Sequence, residues 1–155
     1  MNLTQTETML LNELKGQEQL CIEKYARYSA EACDGNLKNL FTDIGNIEKS
    51  HLDTINSMLN GTFTQISGGG SQSNSANYIA VSSCTGSQKD SDAYLCADAL
   101  AGEKHVSALY DTCVFEFSDV NMRDALNHIQ KEEQQHGEKI YAYMAKNGMY
   151  SCGGQ

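Results

Sequence analysis

Apolar side chains recur at helical spacing in four long segments of this chain. The first segment follows the capping box Thr4-Gln5-Thr6-Glu7, and the second ends at Asn60-Gly61, a helix C-cap signal. The third begins near Ser91, and the fourth ends at Asn147-Gly148. This pattern predicts four helices, and the absence of proline leaves each of them uninterrupted.

Two tight breaks divide the predicted helices into pairs. Asp34-Gly35-Asn36 separates the first helix from the second, and Ser118-Asp119-Val120-Asn121 separates the third from the fourth. Short connections of this kind join antiparallel neighbours. We therefore predict two helical hairpins, over residues 4–60 and 91–148.

The connection between the two hairpins is much longer and has a different composition. Residues 61–90 contain a run of glycine and serine at 67–75, which is typical of a flexible crossover. We expect the crossover to return the chain along the length of the bundle, and residues 149–155 to form a loose tail. The sequence thus predicts one all-α domain over 1–155, an antiparallel four-helix bundle of two repeated hairpins with a long crossover.

Polar residues interrupt the apolar face of each predicted helix. Two Glu-x-x-His motifs lie 85 residues apart, and a further glutamate precedes each of them by 30 residues. Residues at i and i+3 share one helix face, and residues equally far from a tight turn pair across a hairpin. The six side chains are therefore expected to meet near the middle of the bundle: Glu18, Glu48, His51, Glu103, Glu133 and His136.

Four carboxylates and two imidazoles are the ligand set of a di-iron or di-manganese helix bundle. Two divalent ions would balance four glutamates, whereas without metal these buried carboxylates would have to take up protons or destabilise the bundle. We expect Glu48 and Glu133 to bridge two ions, Glu18 and Glu103 to be terminal ligands, and each histidine to hold one ion. Two iron ions are the favoured cofactor, manganese is the alternative, and zinc accepts the same ligands.

Other polar residues near these motifs have simpler interpretations. His105 and His128 lack the pattern and are expected at the surface, and Glu132 is expected to be a solvated charge because it points about 100° from Glu133. Tyr25 and Tyr110 also repeat at the 85-residue offset. They are interpreted as core residues, with a hydrogen bond to a ligand carboxylate or a role as an electron relay as the alternatives.

Composition narrows the choice of partners and compartment. The net charge of −9 and the lack of a basic run argue against nucleic-acid binding. No apolar run is long enough to span a membrane, and the polar start does not resemble a signal peptide, so we expect cytoplasmic synthesis. The six cysteines lack a Cys-x-x-Cys motif and are expected to be mostly free, buried thiols, with Cys84 and Cys152 as possible cross-linking sites.

The motifs over residues 10–60 and 90–148 resemble the ferritin-like superfamily, which includes rubrerythrins and bacterioferritins. More narrowly, the chain resembles the spore coat protein F (Coat F domain) family. The likeness rests on the sequence from Leu20 to Tyr25, the sequence from Asn127 to Gly137, and the ending Gly148-Met149-Tyr150. The resemblance implies a ferritin-like bundle that uses the same six ligands, and a place in or near the endospore coat.

Two functions are compatible with these features. The first is oxidation of Fe(II) by oxygen or peroxide at a paired metal site, in oxidative-stress protection or in the spore. The second is a structural coat component, with other coat proteins as partners, whose metal site only stabilises the bundle. A homo-oligomer is compatible with either function, and iron storage is a weaker third candidate.

Overall fold

The computed structural model describes residues 2–64 and 80–150, which fold into four helices. They are α1 (Gln5–Glu31), α2 (Gly35–Leu59), α3 (Gly86–Glu116) and α4 (Val120–Lys146). Helices α1 and α2 pack together as one hairpin, α3 and α4 as the other, and the hairpins meet through α1 with α3 and α2 with α4. The predicted all-α four-helix bundle is confirmed.

Helix ends follow the sequence signals closely. Thr4 and Glu7 form the reciprocal hydrogen bonds of a capping box at the start of α1. Asp34 and Asp119 accept hydrogen bonds from backbone N–H groups in the first turns of α2 and α4. Gly61, directly after the C-cap of α2, has φ +69°, a conformation that favours glycine.

The third helix begins at Gly86, earlier than the predicted start near Ser91. Its first turn consists of polar residues at 86–90 that are mostly exposed, so hydrophobic periodicity carries no signal there. Most of the predicted crossover, at 65–79, and the tail beyond Tyr150 lie outside the described residues.

A cluster of polar contacts fastens the start of α3 to the turn between α1 and α2. The buried Asp92 carboxylate accepts hydrogen bonds from the backbone N–H groups of Cys33, at 2.7 Å, and Asp34, at 3.0 Å. A disulfide joins Cys33 to Cys84, so the expectation of free thiols is wrong for these two residues. They pair because the chain before α3 returns to the end of the bundle that carries the first turn. Cys84 is therefore not a free thiol for cross-linking to partners, and Cys152 lies outside the described residues.

The remaining described cysteines, Cys21, Cys96 and Cys113, are free and buried, as expected. None of the helices in the described part of the chain is long and apolar enough to cross a membrane. The core is one continuous apolar cluster contributed by all four helices. The six polar residues singled out in the sequence lie inside the bundle, in the middle of these helices.

Candidate metal centre

The bundle brings all six predicted ligands together, one glutamate from each of α1 and α3 and a Glu-x-x-His pair from each of α2 and α4. Every one of them is at most 4% exposed. Their ligand atoms form two groups, and within each group these atoms lie within 4.8 Å of one another. One group contains Glu18, Glu48, His51 and Glu133, and the other contains Glu48, Glu103, Glu133 and His136.

Glu48 and Glu133 belong to both groups and occupy the centre of the cluster. His51 Nδ1 is 3.0 Å from a Glu48 oxygen and 3.1 Å from a Glu133 oxygen. His136 Nδ1 is 3.2 Å from the other Glu48 oxygen and 3.4 Å from the other Glu133 oxygen. Each central carboxylate therefore presents one oxygen to each histidine, which is the arrangement that a bridging ligand requires.

Glu18 lies on the side of this centre that contains His51, and Glu103 lies on the side that contains His136. A Glu18 oxygen is 3.8 Å from His51 Nδ1, and a Glu103 oxygen is 3.6 Å from His136 Nδ1. Tyr110 of α3 donates its hydroxyl hydrogen bond to Glu18 of α1, while Tyr25 of α1 donates to Glu103 of α3. Of the interpretations left open for these tyrosines, both core packing and a hydrogen bond to a ligand carboxylate hold.

Glu132 is not the solvated charge that its helical position suggested. Its side chain is only 20% exposed, and its carboxylate accepts a 2.8 Å hydrogen bond from Nε2 of His51. The contact reaches from α4 to α2, so the helical position of Glu132 relative to Glu133 gives no indication of it. Among the described residues, Nε2 of His136 has no hydrogen-bond partner, so the two histidines differ.

The other two histidines lie away from the cluster. His105 is exposed, as expected. His128 has a side chain 41% exposed and approaches the outer oxygen of Glu132 at 3.5 Å. Neither histidine belongs to the two ligand groups found among the described residues.

Burial and mutual contact shift the pKa values of the cluster in opposite directions. Burial raises the pKa of Glu18 and of Glu103 to about 8, despite the nearby histidines. For Glu48 and Glu133, burial also favours the neutral form, but contacts with His136 and His51 hold the pKa of both below its usual range. Burial acts to lower the pKa of His51 and His136, yet the surrounding carboxylates raise it well above its usual value. Without metal, protons therefore neutralise the cluster at neutral pH.

The donor set fits a pair of divalent ions. Several buried side-chain atoms have no hydrogen-bond partner in the described part of the chain. These atoms are Glu18 Oε2, Glu48 Oε1, Glu103 Oε2, both Glu133 oxygens and both His136 nitrogens. Buried acceptors are costly when they are unpaired, and oxygen and imidazole donors converging in this way are suited to iron, manganese or zinc.

Comparison with known structures identifies the fold. The chain matches a structure from Anabaena variabilis, a two-domain protein containing DJ-1/ThiJ/PfpI-like and ferritin-like domains, with a TM-score of 0.69. The match covers 96% of this chain at 14% identity, but only 39% of the other chain. The bundle is ferritin-like. This chain therefore spans about two-fifths of the length of that structure, and the likeness concerns the fold alone.

Sequence comparison adds a match on the second hairpin. Residues 91–152 match the family profile of the Coat F domain, in agreement with the resemblance noted from the motifs. This segment includes Glu103, Glu133 and His136, three of the predicted ligands. A search of curated proteins found no match.

Proposed function

We propose that this ferritin-like protein binds two iron or manganese ions at the cluster and uses them to oxidise Fe(II) with oxygen or peroxide. The observation that carries the proposal is the convergence of four buried glutamates and two buried histidines, several of whose polar atoms have no other partner among the described residues. Structural polar networks in a core are normally satisfied internally, and this one is not. A bound pair of metal ions would give these polar atoms partners.

Each residue has a distinct role in this proposal. Glu48 and Glu133 would hold both ions, because each offers one oxygen to either half of the cluster. Bound Fe(II) would be the substrate: two ferrous ions would each give one electron to the oxidant and become ferric. The remaining ligands complete the two halves, and the hydroxyls of Tyr25 and Tyr110 orient the terminal carboxylates of Glu103 and Glu18.

Removal of a central carboxylate tests this function. Glu48→Ala or Glu133→Ala should abolish oxygen- or peroxide-dependent oxidation of Fe(II), measured by absorbance after anaerobic loading, because each change removes a ligand from both halves. The matched control is Glu23→Ala, which removes an exposed glutamate of α1 and should retain full activity. Full activity in either cluster variant would refute the proposal.

A second candidate function follows from the Coat F match over residues 91–152. In it, the protein is a component of the spore coat, its partners are other coat proteins, and the metal site only stabilises the bundle. This function predicts metal-dependent melting without turnover. Deletion of the glycine- and serine-rich stretch 67–75, or of the tail 151–155, should then reduce recovery of the protein from purified coats. Unchanged incorporation of both deletion variants would contradict it.

A further inference from the structure

A cavity of about 520 Å³ opens between α3 and α4 and extends to two carboxylates of the predicted metal site. Glu103 and Glu133 lie at its inner end. Leu100 and the rings of Tyr141 and Tyr150 form its apolar walls, and the two rings pack edge to face with centroids 5.0 Å apart. The cavity is much larger than oxygen or hydrogen peroxide requires and falls within the usual range for organic ligands.

The cavity depends on a glycine at position 137, directly after the ligand His136. A Cβ atom at this position would meet Leu100 Cδ1 at 3.5 Å and Glu103 Cβ at 4.0 Å, so a larger side chain would extend into the space. The first hairpin carries Leu52 at the equivalent position, 85 residues earlier and directly after His51. The two halves of the duplication therefore differ where a molecule would approach the metals.

The chemistry of the walls limits what fits. At the inner end the polar lining consists of the carboxyl groups of Glu103 and Glu133, beside which an anionic group is disfavoured. A neutral O–H group can exchange a hydrogen bond with a carboxyl group there. At the rim, Lys104 and Glu138 carry opposite charges, which gives no preference for a charged ligand.

We propose that the cavity beside Gly137 binds a neutral organic molecule with an apolar body and a terminal hydroxyl or hydroperoxyl group. The O–H group points to Glu103 and Glu133, and the apolar body lies against Leu100, Tyr141 and Tyr150. This inference rests on the proposed function in one respect, since it places an organic substrate beside the half of the metal site that His136 completes. Binding itself can be measured without turnover.

The test uses cumyl alcohol, which has an aromatic body and one hydroxyl group and is not an oxidant. It is titrated into the ¹⁵N-labelled full chain, both metal-free and loaded with zinc, and amide shifts are followed by NMR. We expect saturable shifts at Gly137, Lys104 and Gln134. Gly137→Leu should weaken binding at least about ten-fold, because its side chain removes apolar contact area from the ligand.

Two further variants make the result specific. Gly16→Leu adds the same side chain away from the cavity and should bind normally, because nothing lies within 4 Å of a Cβ there. Tyr150→Ala removes one wall at the rim without filling the core and should weaken binding several-fold, even if Gly137→Leu does not fold. The absence of saturable shifts at Gly137, or unchanged affinity in Tyr150→Ala and in folded Gly137→Leu, would overturn the inference. Failure to bind zinc, with the probe still bound, would instead count against the proposed function alone.

Discussion

His51 and His136 occupy equivalent places in the two hairpins, but among the described residues only His51 has a hydrogen-bond partner outside the cluster. Glu132 accepts a hydrogen bond from Nε2 of His51, which fixes the ring with Nδ1 directed at the other predicted ligands. A carboxylate in this position orients a histidine ligand and raises its basicity. The residue 85 positions before Glu132 is Ile47, so the first hairpin offers no corresponding carboxylate to His136. The half of the site that contains His51 is therefore expected to bind metal more tightly.

Replacement of Glu132 tests this difference at the level of one side chain. Glu132→Leu should lower the affinity for one of two ions by about 10- to 100-fold, because His51 loses its orienting partner. Competition with a chelator during manganese or zinc titration measures the two affinities separately. Glu132→Gln retains an oxygen acceptor and should recover part of the loss, while Glu23→Gln should have no effect. Equal affinities in wild type and Glu132→Leu would show that the contact does not position His51.

The titrating groups of the cluster give the metal-free protein an unusual dependence on pH. Glu18 and Glu103 have a pKa of about 8 when folded, against a usual value of 4.5, so folding takes up protons between these values. Their contribution to stability is present below about pH 4.5 and is lost as pH rises towards 8. The pKa values of His51 and His136 are also raised, so their contribution to the stability of the fold likewise decreases as pH rises above 6.5. Glu48 and Glu133 have lowered pKa values and stabilise the fold once pH exceeds about 4.5.

The free energy of unfolding of the metal-free protein should therefore fall from pH 5.5 to pH 8, by an amount on the order of a few kcal/mol. Denaturant titration in the presence of a chelator measures it. With two divalent ions bound the trend should reverse, because metal replaces the protons and binds more tightly as pH rises. A metal-free protein whose stability is constant or rises over this range would contradict the burial of Glu18 and Glu103.

At the scale of the helices, the connections decide how the two hairpins meet. The disulfide between Cys33 and Cys84 spans 51 residues and fastens the chain before α3 to the first turn. Asp92 reinforces this junction through its hydrogen bonds to the backbone of Cys33 and Asp34. Asn147 connects the end of α4 to the same junction, because its side-chain oxygen accepts a 2.8 Å hydrogen bond from the backbone N–H of Ser82. These contacts lie at one end of the bundle, whereas the six predicted metal ligands lie in its middle.

Loss of the disulfide should therefore change stability without removing the metal site. The double variant Cys33→Ala/Cys84→Ala should lower the free energy of unfolding by about 2–4 kcal/mol, because the unfolded chain regains the freedom of the closed loop. Denaturant titrations of both proteins measure the loss, and metal content should remain unchanged. The matched control is Cys113→Ala, which removes a buried free thiol. If the double variant loses its metal, the junction must also position the ligands.

At the scale of the whole molecule, the internal duplication explains how much of the structure the sequence reveals. Glu18, Glu48 and His51 repeat as Glu103, Glu133 and His136, and the two Asp-capped turns repeat with them, so both hairpins and the six candidate ligands follow from spacing. Features that break the repeat leave no such signal. Glu132 bonds to a residue on another helix, and the Cys33–Cys84 pair depends on the path of the chain before α3. The cavity beside Gly137 depends on side-chain volumes across two helices.

Metal content per chain is the most direct test of the central proposal. Protein produced in medium supplemented with iron and manganese, and purified without chelators, is examined by elemental analysis together with Glu48→Ala and Glu133→Ala. We expect about two iron or manganese ions per wild-type chain and a large loss in both variants, as the six-residue donor set requires. No bound metal in a wild-type protein that is folded by circular dichroism would contradict the metal centre and leave the structural coat function.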